Sequence, residues 1–401
     1  MATNLQVWIY DIDRTNYVDV TSYVISVNSV RGKSRALDFY EAGSLSISFN
    51  NHDRSFDPTN TGSLFNGYIK PKLPIYVRHS GAFAIFSGII DDWSLIYDVN
   101  GDSIATVSAS EPTNLFTNVA LNAETFPAEL SGARISRVLN DDRVDWPTDW
   151  GAQVLDAGTQ MLDADTIEDE TNVLEYLQRI QASEQGQLFI DGTYSLKFHD
   201  NSRSVMGSAS VPVFADDNTT YNSVTSGSAI AAWQYDSIQV SYSTTLLYNR
   251  IQVNSYDELN SATATDVASY TSLNNTYYDY VIDGVLYSDK FRLGNLATYI
   301  GGKYSEPEYR FNTIRVNFFA LSYGQQYDLI GDVRLNDFAR VRLKPNNTGS
   351  TIDRFVRIIG IQHDASPGSH YVTYQLESIK IPALVLSDND FGKLDVNVLG
   401  L

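Results

Sequence analysis

Much of this chain alternates between apolar and polar positions. Leu45, Ile47 and Phe49 are separated by serines, the period of two that sends every second side chain to one face of a half-buried strand. Ile75 and Val77 repeat the pattern before a turn at Ser80-Gly81. A long apolar-rich stretch at 83–97 leads through Asn100-Gly101 into a strand at 104–109. Asn-Gly between two strand-like runs is a strong hairpin signal.

The period changes in the middle of the chain. Val173, Leu174, Leu177 and Ile180 fall on one helical face, with Asp169 or Thr171 as the candidate cap and Gly186 as the candidate stop. Residues 188–190 and 194–198 read as a hairpin around Asp191-Gly192. Residues 202–228 are rich in Ser, Thr, Asp and Asn and read as loops, as does the polar stretch 260–275. Strand patterns resume at 238–242 and 249–253. A second helix is expected at 289–300, with Leu293, Leu296, Ala297 and Ile300 on one face and Gly301-Gly302 ending it. Strands then run to about residue 381.

One order of events occurs twice. Residues 73–78, then Phe86-Ser87-Gly88-Ile89, then a strand ending at Ser110-Glu111 are echoed by 338–343, by 355–361 with Gly360 inside it, and by a strand ending at Glu377-Ser378. Two similar all-β units would produce this echo, and so would coincidence between two antiparallel meanders. The expected fold class is mainly β with α/β insertions, holding two β-barrel-like domains and smaller mixed ones. The first barrel is expected at 1–112, an α/β insertion domain at 113–200, and a linker with loops and returning strands at 201–235. The second barrel, with its helix near 289–300, is expected at 236–386, and a polar C-terminal tail at 387–401.

At 401 residues the chain is long enough to bury a large core without staples. It has no cysteine, which removes disulfides and every thiolate site, and only five histidines. No apolar run approaches the ~20 residues that span a bilayer, and residues 1–10 carry no secretion signal. Its 48 acids against 28 bases leave a net charge of −20. That is a poor footprint for binding phosphate, and it suits either plain solubility or a conduit that DNA passes without sticking. The 26 tyrosines suit sheet faces and interfaces, or ordinary strand propensity.

Candidate chemistry is sparse. No phosphate loop, no G-x-S-x-G elbow and no H-E-x-x-H pair occurs. Asp53, Ser55 and Asp57, beside His52, alternate like the ligands of a calcium loop. Pro58 replaces the required glycine there and Leu64 the closing acid, so a turn held by Asx hydrogen bonds is the favoured reading. Asp11, Asp13 and Thr15 repeat that pattern more weakly. His199-Asp200 and His363-Asp364 end strands without an accompanying nucleophile. Asp141, Asp142, Asp145 and Asp149 lie among Trp146 and Trp150, a composition that a sugar-binding or glycan-hydrolysing site would use and that surface loops also show. We therefore assign no catalytic, cofactor or metal residues and no cofactor.

The order of motifs resembles the minor tail and tail-hub proteins of long-tailed phages. It begins with Asp19-Val20-Thr21 and Arg31-Gly32-Lys33, and continues through Ala42-Gly43-Ser44, Phe49-Asn50-Asn51 and Phe56-Asp57-Pro58. Gly67, Phe86-Ser87-Gly88 and Asp92-Trp93 follow. Gly186-Gln187-Leu188-Phe189-Ile190-Asp191-Gly192, Asn249-Arg250-Ile251-Gln252-Val253, Tyr304-Ser305-Glu306-Pro307, and Gly360-Ile361-Gln362-His363-Asp364 with Pro367-Gly368-Ser369 are similar to later family motifs. Glu111 stands where the family more often has aspartate, and 263–275 matches poorly. The resemblance spans most of 8–380. It implies two tail-tube-like or hub-type barrels per chain and a non-enzymatic homotrimer at the virion tail tip, made in the host cytoplasm. Such a ring joins a six-fold tail tube to a three-fold tip and lets DNA pass an acidic lumen. The implied partners are the chain itself, a tail-tube or distal tail protein, the C-terminus of a tape-measure protein, and tip or fibre proteins. DNA is implied only as a passing polymer, with no membrane span. A carbohydrate-binding or glycan-hydrolysing tail-tip component is the alternative.

Overall fold

The computed structural model describes residues 4–80, 83–99, 101–144, 146, 151–204 and 211–379. Gly81, Asn100 and the expected tail at 387–401 lie outside these residues. The alternating runs form strands: β1 (Leu5–Tyr10), β2 (Val24–Gly32), β3 (Glu41–Asn50), β4 (Pro74–His79), β5 (Ala84–Tyr97) and β6 (Ser103–Ser110). In β3 the alternation works as read, with Leu45, Ile47 and Phe49 buried and Ser44 and Ser46 exposed. The middle of the chain supplies α1 (Ser131–Leu139), α2 (Val173–Glu184), β7 (Gln187–Ile190), β8 (Leu196–His199) and β9 (Val213–Ala215). The rest forms β10 (Ser237–Tyr242), β11 (Arg250–Ser255), β12 (Ser261–Thr265), α3 (Val267–Ser272), β13 (Asp279–Val285), α4 (Lys290–Tyr304), β14 (Tyr309–Asn317), α5 (Tyr323–Asp332), β15 (Phe338–Leu343), β16 (Ile352–Ser366) and β17 (Ser369–Ser378).

A 13-stranded sheet runs through the molecule and contains two copies of one arrangement. In the N-terminal unit the strands lie in the order β2-β3-β6-β5-β4, with β1 beyond β4. In the C-terminal unit they lie in the order β10-β14-β17-β16-β15, with β9 beyond β15. Taken along the chain, the first to fifth strands occupy the same places in both units. Each unit has an extra residue at the same place in its fourth strand, Asp91 in β5 and Ile359 in β16. A bulge is a fixed register mark, because it shifts which side chains face the core. Opposed residues also match across the units. Trp93, Val107, Ile47 and Val27 form one cross-strand row, and Ile361, Tyr374, Ile314 and Ile238 form its counterpart.

Each unit packs its own apolar cluster behind the sheet. A third cluster is built from α1, α2, β7 and β8 together with α4, β11 and β13. This corrects the expected place of the second helix. α4 leaves the second barrel and packs, with a three-stranded β12-β11-β13 sheet, against the α/β region. Its start is as read, with Asp289 accepting from the Arg292 backbone amide, but Gly301 and Gly302 lie inside it and the helix runs on to Tyr304. The start of α2 is capped by Asn172, one residue past Thr171, and ends on Gln185 in a left-handed conformation, one before Gly186. The stretch expected to be a linker holds β9, which adds in parallel to β15, and a hairpin of Thr220–Asn222 with Ala229–Ala231. The stretch expected to be a loop at 260–275 contains β12 and α3. No helix among the described residues is long and apolar enough to cross a membrane.

Candidate assembly surface

The two units meet edge to edge. β2 pairs antiparallel with the second half of β16, from Gly32 opposite Gly360 to Val27 opposite Ala365. Gly32 adopts φ +101°, and a Cβ there would lie 2.3 Å from the Ile359 carbonyl oxygen, so glycine is required at this close approach. Asn28 donates to Asp364 across the join. On the core side, Arg31 forms a buried ion pair with Glu111 at 2.7 Å and donates to the Ile190 carbonyl at 2.6 Å. The second Glu111 oxygen accepts from the Gly43 amide at 2.9 Å. A Cβ on Gly43 would come within 2.7 Å of the Glu111 carboxyl carbon, which accounts for the glycine in Ala42-Gly43-Ser44. Burial pushes the Glu111 carboxyl up, and the Arg31 charge pulls it part of the way back. A buried pair of this kind gains little net stability. Its fixed geometry ties β2, β6 and the β7 end of the α/β region together.

Beside the join, Nδ1 of His363 lies 3.1 Å from Nε2 of His370. Burial holds His370 down at about 3 and His363 well below its ordinary value, so both rings are neutral at pH 7. One ring donates and the other accepts through its unprotonated nitrogen, an arrangement that two neutral tautomers make. Lys33, just past β2, is pulled down to about 8 by burial and donates to the Ala36 carbonyl and to Gln187.

Each unit also has an edge without a partner strand among the described residues. In the C-terminal unit it is β10, which pairs only with β14. In the N-terminal unit it is the second half of β5, because β4 covers β5 only as far as Ile89. The equivalent half of β16 is the part that β2 covers. Sequence reasoning found three echoed strands and missed the other two. The signal available was the further match of strand order, but β2 and β10 share little beyond alternation.

The residues singled out for chemistry serve local structure. Asp53 accepts from the Ser55 amide at 3.0 Å, and Asp57 from the Thr59 amide at 2.8 Å and from Arg54 at 2.6 Å. The Thr59 and Arg54 hydrogen bonds hold the Asp57 carboxyl well below its usual range. Asp11 accepts from the Thr15 amide at 2.9 Å. Among the described residues no three His, Asp or Glu side chains converge as a metal site. His199 bonds Asn336 at 2.8 Å, while Asp200 turns to the Ser202 amide and Asp364 to Asn28 and Gln362. Asp141 accepts from the Arg143 amide, Asp142 from Asn122, and Trp146 is buried against Phe116. Asp145, Asp149 and Trp150 lie outside the described residues. A cleft of about 970 Å³ lies between the two units beside Asp191, Lys197, His199 and Asp337. Among the described residues no serine lines it, and Lys197 is held by Asp191 at 3.0 Å.

No family profile matches the chain, and no curated protein matches it in sequence. Solved structures do match. The 43 kDa tail protein of prophage MuSo2 from Shewanella oneidensis has a TM-score of 0.61 at 13% identity, covering 93% of this chain and 96% of that one. A tail protein from Neisseria meningitidis MC58 has a TM-score of 0.60 at 13% identity, covering 93% and 96%. The E. coli c3393 protein has a TM-score of 0.50 at 11% identity, covering 91% and 78%. It is described as a type VI secretion component structurally similar to the T4 tail proteins gp27 and gp5. At such identities the likeness is one of fold, and the chain has the fold of these phage tail proteins, mainly β with two barrel-like units and smaller α/β parts.

Proposed function

We propose that this chain is a structural, non-enzymatic component of a phage tail, a hub that closes into a homotrimeric ring at the tail tip. The observation that carries the reading is the duplicated five-strand unit, joined edge to edge within one chain. Two like units per chain let three copies present six similar modules. Such a ring fits a six-fold tube on one side and a three-fold tip on the other. The fold likeness to proteins named as tail proteins supports the same reading.

The sheet has a free face opposite its apolar clusters, and in a closed ring this face lines the channel. Ser46, Ser48, Thr106 and Ser108 present it in the N-terminal unit, and Thr313, Thr373, Gln375 and Gln362 in the C-terminal unit. Hydroxyls and amides dominate there, with Asp92, Asp364 and Arg315 among them. A passing polyanion meets neither a strong repulsive field nor a row of cations that would hold it. This differs from the acidic lumen that the resemblance implied. A tail-tube or distal tail protein, the tape-measure C-terminus, and tip or fibre proteins are its proposed neighbours.

Native mass spectrometry and negative-stain microscopy of the purified chain test the proposal. A trimer with a central opening and six similar lobes is expected. A chain that remains monomeric at every concentration and is absent from isolated tail tips would overturn it.

A further inference from the structure

We propose that β10 of one copy adds to the uncovered second half of β5 in the next copy, in the register that β2 and β16 use inside the chain. This rests on the ring reading above and names the surface that closes the ring.

The two units offer equivalent positions. β10 stands in the C-terminal unit where β2 stands in the N-terminal one, and β5 stands where β16 does. The covalent chain joins β2 to β16, so the unused pair of the same kind is β10 with β5. The register follows from the matched rows. Val27 and Ile238 are equivalent, as are Ile361 and Trp93. Within the chain, Val27 lies opposite Ala365, four residues after Ile361. Ile238 therefore lies opposite Tyr97, four residues after Trp93. Leu95 then faces Val240 and Trp93 faces Tyr242, while Ser94 faces Ser241 and Ile96 faces Gln239 on the channel side.

Geometry alone set this register, and the chemistry agrees with it. The three pairs on the core side join apolar or aromatic side chains, the combinations that stabilise neighbouring strands. Exposure agrees as well. Tyr97 is 47% exposed, Ile96 59% and Tyr242 70%. The counterparts of Tyr97 and Tyr242 at the internal join are covered, Ala365 at 4% and Arg31 at 7%. Monomeric proteins protect open edges with lysine, proline or other charges. Residues 93–97 (Trp-Ser-Leu-Ile-Tyr) and 237–242 (Ser-Ile-Gln-Val-Ser-Tyr) carry none of these. Because the two edges are different surfaces, the contact is head-to-tail, the type that closes into rings.

The chain lacks cysteine, so engineered thiols report without background. Directly opposed strand residues have Cα atoms about 4.5–5.5 Å apart, within disulfide range, whereas diagonal neighbours are too far apart. The doubly substituted Ser94→Cys/Ser241→Cys chain should give covalent dimers and closed trimers on mild oxidation, reversed by reductant. Val30→Cys/Gln362→Cys, at the internal join, should close within one chain and serves as the positive control. The diagonal Ser94→Cys/Gln239→Cys pair should stay open. Tyr242→Lys, on an exposed side chain, should abolish assembly while leaving the melting of the separated chain unchanged. Rings that form by native mass spectrometry but do not crosslink through Ser94 and Ser241, or that crosslink better through the diagonal pair, overturn the seam and leave the ring standing. Failure of the unsubstituted chain to assemble overturns both.

Discussion

Behind the N-terminal copy of the sheet, the space is filled by stacked rings. Phe49 lies 4.5 Å from Phe56, Trp93 stacks at 5.8 Å from Phe56, and Tyr23 meets Phe56 edge-on at 5.4 Å. Behind the C-terminal copy, polar groups enter the core. Trp233 donates to Tyr221, Tyr221 donates to Asp332, and the His363–His370 pair lies against Phe318. The strand order survives this exchange of contents. What the two copies share is therefore a backbone property, namely order, bulge position and alternation, while the filling is free to differ. In the proposed ring, that division would suit a module that presents edges and a face to its neighbours.

The largest effects should separate the two fillings. Phe56→Ala removes the centre of the aromatic stack and should cost about 4 kcal/mol, the usual loss for a buried phenylalanine that leaves a cavity. Urea unfolding followed by tryptophan fluorescence reads it, and a loss below about 1 kcal/mol would mean that the stack does not hold the N-terminal unit. Arg31→Met should cost about 3 kcal/mol, because it strands Glu111 as a buried charge. That loss should shrink as pH falls, since the protonated carboxyl carries no charge to strand. The Arg31→Met/Glu111→Met double substitution should recover most of it.

Acid should act chiefly on the C-terminal copy. His370 has a folded-state value of about 3, below the ordinary 6.5 of the unfolded chain. Below pH 6.5 the unfolded chain binds a proton that the folded one refuses, so stability is full above 6.5 and is lost as pH falls toward 3. By pH 5 the loss from this residue is about 2 kcal/mol. Asp337, pushed up to about 6 by burial, works the other way and favours the fold as pH falls below that value. Urea midpoints of His370→Gln should therefore show a flatter fall between pH 6.5 and 5 than the parent chain, and an unchanged slope would remove the histidine from the account.

Much of this architecture could be read from alternation alone. The strands with large apolar residues at every second place, such as β3 and β4, lie where the pattern put them. The elements that escaped notice carry little apolar signal. β12 is Ser-Ala-Thr-Ala-Thr, and its half-buried alanines are covered by α4 laid across the strand. α5 has Leu329 as its main buried apolar side chain, although Ser322 and Gln325 form a capping box at its start. α1 begins without any side-chain cap. Gly301-Gly302 looked like a stop, but the helix passes through both and runs on to Tyr304, with Gly301 on the side that faces Ile251 of the neighbouring strand. The candidate assembly surface was less legible than the fold. An uncovered edge depends on which strands lie beside it, and local sequence does not record that.

The smallest effect sharpens the comparison most. Tyr221→Phe removes one hydroxyl from the C-terminal core without changing its shape. Trp233 then loses the acceptor for its indole N–H. Asp332 loses one donor but keeps Ser223 at 3.1 Å and the Thr225 amide at 2.7 Å. One buried donor is left unsatisfied, at a cost of about 1 kcal/mol. If the polar network only fills space, as the rings do in the other unit, Tyr221→Phe should be neutral. If it fixes the Thr220–Asn222 hairpin against α5, hydrogen exchange of 220–231 should quicken while the N-terminal strands exchange as before. The two copies would then differ in how they are held as well as in what they contain.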